Sequence, residues 1–208
     1  NPLIKKDFEH QDIDGINYYF FKTIKYGSNG GKRAITMFQF SAKLWFSAGK
    51  IVKTIKPDVV ISSSTYPLDN YPARRIARKS KCKAIHEIHD MWPATLIELG
   101  GMSPKHPFIQ LLQKAENDAY KKSDSIVSLL PCAKEYMIEH GMTPEKFYYI
   151  PNGVVLDDWN NSEALPQEHM KTIKEIKEQG NVIACYFGGH ALSNSLDSIL
   201  DTAALLRH

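Results

Sequence analysis

Cysteine is scarce in this chain: three in 208 residues, at Cys82, Cys132 and Cys185, odd in number and far apart. That usage excludes a disulfide framework and a zinc knuckle and suits a reducing compartment. Long apolar runs are lacking, so no segment is a candidate to cross a bilayer as a helix. The opening residues, Asn1 to Asp7, hold neither an apolar stretch nor a small-residue cleavage site and are not a secretory signal. They also lack an initiator Met, so the natural start is expected upstream. Charge of one sign is not in excess. With 26 Lys and Arg against 23 Asp and Glu the formal net charge is +3, too mild for a nucleic-acid partner, and no dense basic run with interleaved aromatics is present. Biased tracts and internal repeats are absent. What remains is an ordinary globular composition, 43% hydrophobic and 24% charged, enough for a sizeable core in one large domain or one domain and part of another.

Along that chain, apolar strand-like runs alternate with helical patterns. Ile16 to Ile24 is aromatic and β-branched and reads as a strand. Leu44, Trp45, Ala48, Ile51, Val52 and Ile55 share one helical face over Lys43 to Ile55, and Pro57 stops that helix. Asp58 to Ser63 reads as a short buried strand, Tyr71 to Ser80 as a helix and Lys83 to His89 as a strand. A helix over Pro107 to Lys122 carries Phe108, Leu111, Leu112, Ala115 and Ala119 on one side. Asp124 to Leu130 is a further strand, after which Pro131 opens a helix that Gly141 closes. Strands apolar on both faces, alternating with amphipathic helices, predict an α/β fold with a doubly wound parallel sheet, Rossmann-like, with helices on each side.

Composition shifts after Ile150. Pro151-Asn152-Gly153 is turn chemistry, the stretch from Leu156 is polar, and a charged helix is expected over Pro166 to Gln179. A new unit then begins with a strand at Asn181 to Phe187, the turn Gly188-Gly189-His190 and a helix over Ser195 to Leu206. The expected organisation is 1–155 as one Rossmann-like domain with its N-terminal part missing, 156–180 as an interdomain segment, and 181–208 as the start of a second domain. A lone βα unit cannot bury its apolar face, so residues beyond His208 are expected.

In such sheets ligands bind beyond the carboxyl ends of the strands. Those ends are Ser62 to Thr65, His89-Asp90, Leu130-Pro131 and Gly188 to His190, and every chemically suggestive segment falls at one of them. The cluster His86, Glu87, His89, Asp90 invites a metal reading. Its histidines are three apart, and strand neighbours point to opposite faces, so the four side chains cannot converge on one ion.

Four segments carry a resemblance. They are Glu116 and Tyr120 leading into Ser123 to Ser128; Ile150-Pro151-Asn152-Gly153-Val154; Tyr186-Phe187-Gly188-Gly189-His190; and His86 to Pro93 with Leu99-Gly100-Gly101-Met102. From about Asp14 onward the chain resembles the family 4 glycosyltransferases of GT-B fold. The last segment is similar to the HD-x-WP and ELGG region of bacterial capsule and O-antigen amino-sugar transferases, such as those that transfer N-acetyl-L-fucosamine. Two family features are missing, the N-terminal glycine-rich loop and the C-terminal pair of glutamates. Truncation is the expected cause of both, and the fragment alone is then expected to be inactive.

The resemblance implies a retaining transferase that moves an N-acetylhexosamine-type sugar from a nucleotide diphosphate sugar to a polyprenyl-diphosphate-linked saccharide in surface polysaccharide synthesis. No cofactor or metal is implied, and the place would be the cytoplasm at the inner face of the bacterial plasma membrane. His89 and Asp90 would be the catalytic pair, Asp90 orienting His89 or meeting an acceptor hydroxyl, with Trp92, Ser63 and Ser64 on the acceptor side. Gly188, Gly189, His190 and Asn152 would meet the donor, with Ser193, Asn194 and Ser195 at the following helix start. For Asn194 and Ser195 plain helix capping is the other reading. The aromatic and basic stretch Phe38 to Lys56 admits two readings, a helix resting on anionic lipid and a core-facing helix with a solvated lysine face. Two other functions stay open: a sugar-nucleotide 2-epimerase, which needs carboxylate pairs in the cleft, and a non-catalytic saccharide or lipid-carrier binding module.

Overall fold

A computed structural model describes residues 4–25, 30–161, 163–190 and 194–206. The chain forms two compact units, Asn1–Pro151 and Asn152–His208. The first unit opens with an antiparallel hairpin, β1 (Glu9–Ile13) and β2 (Ile16–Phe20). Asp14 and Gly15, both at positive φ, make its turn, the Asp-Gly signature of a two-residue hairpin loop. The strand expected from Ile16 to Ile24 therefore ends at Phe20, and its partner precedes it.

Helix α1 runs over Gly31–Ile55, well ahead of the expected start at Lys43. The reason is a longer apolar stripe: Met37, Phe40, Leu44, Ala48 and Ile51 keep three-four spacing and pack with Phe21 and Ile76 or lie buried. Lys56 in the left-handed region and Pro57 end it. There follow β3 (Val59–Ser63), a 3-10 turn over Pro67–Asp69, α2 (Asn70–Ser80) and β4 (Lys83–Ile88). Next come α3 (Ala94–Glu98), α4 (Pro107–Lys122), β5 (Ser125–Ser128), α5 (Lys134–Glu139) and β6 (Phe147–Tyr149). Pro131 does not open α5, which starts three residues later after a turn. Gly141 does close it: Met142 N–H bonds Met137 O and Gly141 N–H bonds Ile138 O, a Schellman arrangement with Gly141 at positive φ.

The four strands β3-β4-β5-β6 form one sheet in that order, every pair parallel, with Ile61 opposite Ile85 and Ile85 opposite Ser125. This is the α/β, Rossmann-like class expected. One face is packed. Ile88 and Ile126 meet Tyr120 of α4 and Met137 of α5, and Val60 joins Ile51 and Ile76 between α1 and α2. The alternate residues are less covered, Val59 being 43% exposed and Ile61 54% exposed. The helices were expected on each side; among the described residues β3 is packed on one face, and Asp58 to Ser63 is not a buried strand.

In the second unit α6 (Leu156–Asn160), α7 (Gln167–Glu178) and α8 (Leu196–Leu205) are helical. The strand expected at Asn181 to Phe187 is a correction: those residues are irregular, with Val182 94% and Phe187 91% exposed. A strand exists through its ladder of backbone hydrogen bonds, and none of the described residues of this unit offers one.

Candidate functional site

Parallel register places the carboxyl ends of β3 and β4 side by side, with Ser63 opposite Glu87. Alternation along β4 then sorts the imidazoles. His86 points into the packed face, where it is 3% exposed and its Nδ1 lies 2.8 Å from Ser62 Oγ. Burial, and then the Arg74 charge, lowers its pKa to about 4, so it is a neutral core histidine. Glu87 and His89 share the other side. His89 Nε2 lies 2.9 Å from Ser63 Oγ and 3.4 Å from a Glu87 carboxylate oxygen, and the imidazole is 41% exposed. His89 is thus tethered through one nitrogen and open to solvent.

Asp90 does not hold His89. One of its oxygens accepts from the Met91 N–H and the Thr95 hydroxyl, each at 2.9 Å, and the other accepts from Trp92 Nε1 at 3.2 Å. The carboxylate therefore ties β4's exit to the start of α3. Trp92 precedes a cis peptide to Pro93, packs near Leu68, Leu112 and Ala115, and lies under the Arg33 guanidinium, 5.6 Å from its ring centroid. Ser63 reaches His89, whereas Ser64 bonds to Asp69.

Two carboxyls under this surface escaped the sequence reading as site residues. Asp69 is 6% exposed, and burial raises its pKa to about 6 against the opposing Ser64 hydrogen bond. Glu116 of α4 is 3% exposed and accepts from the Tyr120 and Tyr136 hydroxyls at 2.8 and 3.1 Å and from Gln113 Nε2 at 2.7 Å. Burial outweighs those three donors and raises its pKa to about 7. A void of about 10 Å³, roughly one water in size, is lined by Ser64, His86, Asp90, Trp92, Glu116 and Tyr120. Glu116 thus shares this void with Asp90 and Trp92 of the strand end, while Asp69 meets it through Ser64. The only sequence signal for Glu116 was a carboxylate on the apolar side of a helix, one turn from Tyr120.

In the second unit Gly188 has φ of 148°, a conformation that favours glycine, and an added Cβ would meet the Tyr186 hydroxyl at 3.1 Å. Tyr186 donates to Gly189 O at 3.1 Å, and Asn194 Nδ2 donates to the Tyr186 oxygen at 2.9 Å. His190 lies 6.1 Å from the Tyr186 ring. Neither Asn194 nor Ser195 caps α8 by a side-chain bond to its backbone: Ser195 faces Ser198, and Asn194 secures the glycine turn. Ser193 lies outside the described residues. Asn152 and Gly153 are exposed.

Of the stretch Phe38 to Lys56, Lys43 binds Asp7, Lys50 lies over the Phe8 ring and Trp45 stacks with Arg75, while Phe46 is 84% exposed. No helix among the described residues is long and apolar enough to cross a membrane.

Residues 21–158 match the family model described as Glycosyltransferase Family 4, a span that takes in the parallel sheet and Ser63, Ser64, His89, Asp90, Trp92 and Asn152. No curated protein matches the chain.

Proposed function

Since the chain belongs to glycosyltransferase family 4, whose members bind a sugar donor and an acceptor, we propose that it performs retaining transfer of an N-acetylhexosamine-type sugar. The donor would be a nucleotide diphosphate sugar and the acceptor a polyprenyl-diphosphate-linked saccharide, at the cytoplasmic face of a bacterial membrane during surface polysaccharide assembly. The observation that carries this reading is His89: an open imidazole at a strand's carboxyl end, fixed through Nε2 by Ser63 and Glu87.

In the proposed reaction the bond from the sugar's anomeric carbon to the leaving phosphate oxygen breaks. A bond to the acceptor hydroxyl oxygen forms on the same face, and the hydroxyl proton passes to the departing diphosphate. Such a step needs positioning and charge stabilisation more than a strong base. His89, with Nδ1 unpartnered among the described residues, would contact the donor sugar. Asp90 acts as a positioning residue through Trp92 and Thr95. Gly188, Gly189 and His190 offer backbone that a diphosphate can approach closely, and Asn152 would approach the nucleotide. The proposed reaction uses the nucleotide sugar as substrate and no metal ion.

The test supplies the full-length enzyme with nucleotide-diphosphate N-acetylhexosamines and a polyprenyl-diphosphate-linked acceptor. Expected are release of nucleoside diphosphate and a lipid-linked product of unchanged anomeric configuration, with His89→Ala slower by about 10²–10³-fold in kcat. Return of the donor sugar epimerised at C2, or inversion in the product, would overturn the reading.

A further inference from the structure

A second built cavity lies at the other end of the sheet. It has a volume of about 320 Å³ and is lined by Trp45 of α1, Tyr71, Arg74, Arg75 and Arg78 of α2, and Lys122 of α4. Ala84 and Asp124, at the start of β4 and just before β5, also line it. Ala84 and His89 are five residues apart in extended chain, so roughly 16 Å separates this cavity from the strand's carboxyl end.

Its charge is unbalanced. The one lining carboxylate, Asp124, is already engaged: one oxygen holds Lys83 Nζ at 2.8 Å and the other accepts the Ala84 N–H at 2.9 Å. Lys122 is bound to Asp118, which also takes Lys114 and the Tyr71 hydroxyl. The three arginines have no carboxylate ion pair among the described residues. Arg74 donates Nε to Asn70 Oδ1 at 3.0 Å and lies 5.5 Å from the Tyr71 ring centroid. Arg75 stacks on Trp45 at 4.4 Å, and its Nε is buried without an acceptor. Burial, with Arg78 adding to it and Asp118 opposing, pulls the Arg74 guanidinium below its ordinary pKa.

Cations in a helix's last turn answer the helix dipole, and Arg78 does so. Arg74 and Arg75 sit a turn earlier and instead lie over aromatic rings, contacts that help pre-organise the guanidinium fork for an oxyanion. A carboxylate, with one charge and two oxygens, matches one fork. Three guanidinium groups around one cavity match a doubly charged group with three terminal oxygens.

We propose that this cavity binds a phosphoryl group, either of a soluble phosphate ester or of a lipid headgroup, with Arg75 and Arg78 in direct contact and Arg74 behind them. The probe is inorganic phosphate, titrated calorimetrically into the whole chain at fixed ionic strength set by chloride. One saturable site is expected, weakened about tenfold or more in Arg75→Ala and in Arg78→Ala. Arg78→Ala leaves the Arg75–Trp45 stack in place and so keeps a folded variant in the comparison. His89→Ala should bind phosphate as the parent does. Cosedimentation with vesicles containing phosphatidic acid, a phosphomonoester lipid, against phosphatidylcholine vesicles, separates the sources. Vesicle binding lost in the same variants assigns a headgroup, and phosphate binding without vesicle binding assigns a soluble ester. Absence of a saturable phosphate site, or undiminished affinity in both arginine variants, overturns the proposal, as does an equal loss in His89→Ala.

Discussion

Asp90 illustrates how much a single side chain can fix. Its carboxylate receives three hydrogen bonds, from Met91, Trp92 and Thr95. Replacing it with Ala leaves a backbone N–H and the indole N–H without that acceptor, a cost of about 1–3 kcal/mol. The expected outcome is a lower urea midpoint together with a shifted Trp92 emission, while Asp90→Asn retains part of both. The acid-base behaviour of Glu116 gives a second residue-level expectation. Its folded pKa of about 7 lies above its ordinary value of 4.5, so the folded state holds the proton more tightly. The associated stability is present below pH 4.5 and is lost as pH rises through about 7, in total on the order of 3 kcal/mol. Asp69 acts in the same sense up to about pH 6, and His86, with its lowered pKa, in the opposite sense below 6.5. Urea midpoints at pH 5 and pH 8 should therefore fall further in the parent than in Glu116→Gln. Equal slopes would deny Glu116 this role. The sequence located His89 and Asp90 at a strand end because alternating elements leave little choice of where β4 stops. It did not reveal that Asp90 turns toward residues 91–95, since adjacency along the chain says nothing about which side chain a tight turn brings into reach.

At the scale of elements, the two isoleucines of neighbouring strands separate packing from propensity. Ile126 of β5 is fully buried, while Ile61 of β3 is 54% exposed. Ile126→Ala should cost about 2–5 kcal/mol, whereas Ile61→Ala should cost well under half as much, measured by the same denaturation. Gly141 ends α5 at φ of 100°, and an added Cβ would lie 2.2 Å from Lys121 Cε. Lys121 can move but the backbone cannot, so Gly141→Ala should lower stability by about 1–2 kcal/mol. Periodicity found the bounds of α4 to the residue, with Pro107 marking its start, but its expected apolar side was off: Leu111 is 37% exposed, while Ile109 and Tyr120, not placed on that side, are buried. It misplaced the start of α1, where Met37 and Phe40 extend the stripe beyond the densest aromatic stretch. The hairpin partner β1 was missed although Asp14-Gly15 announces it, because Glu9 to Ile13 alternates too weakly to read as a strand.

For the whole molecule, burial is concentrated in the first unit, where Leu112, Ala115, Tyr120, Ile126 and Met137 are fully enclosed. No described residue of Asn152–His208 is buried. A segment without its own core opens easily, so limited proteolysis should cut after residue 151 first and leave a resistant fragment of the first unit. Early cleavage within α4 or β5 would contradict that ordering. The parallel α/β architecture was legible because strand and helix periods alternate with few interruptions. The exposed side of β3 was not, because apolar residues in a sequence show what favours being covered and not whether a covering element is at hand.

The placement of His86 and His89 rests on parity. Counting along β4, even positions enter the packed layer and odd positions leave it. One residue inserted between Lys83 and His86 would exchange the two imidazoles, bringing the core histidine out to solvent and forcing the open one inward. A two-residue insertion would restore the original sides. Length changes in this strand are therefore expected to be tolerated in pairs or not at all.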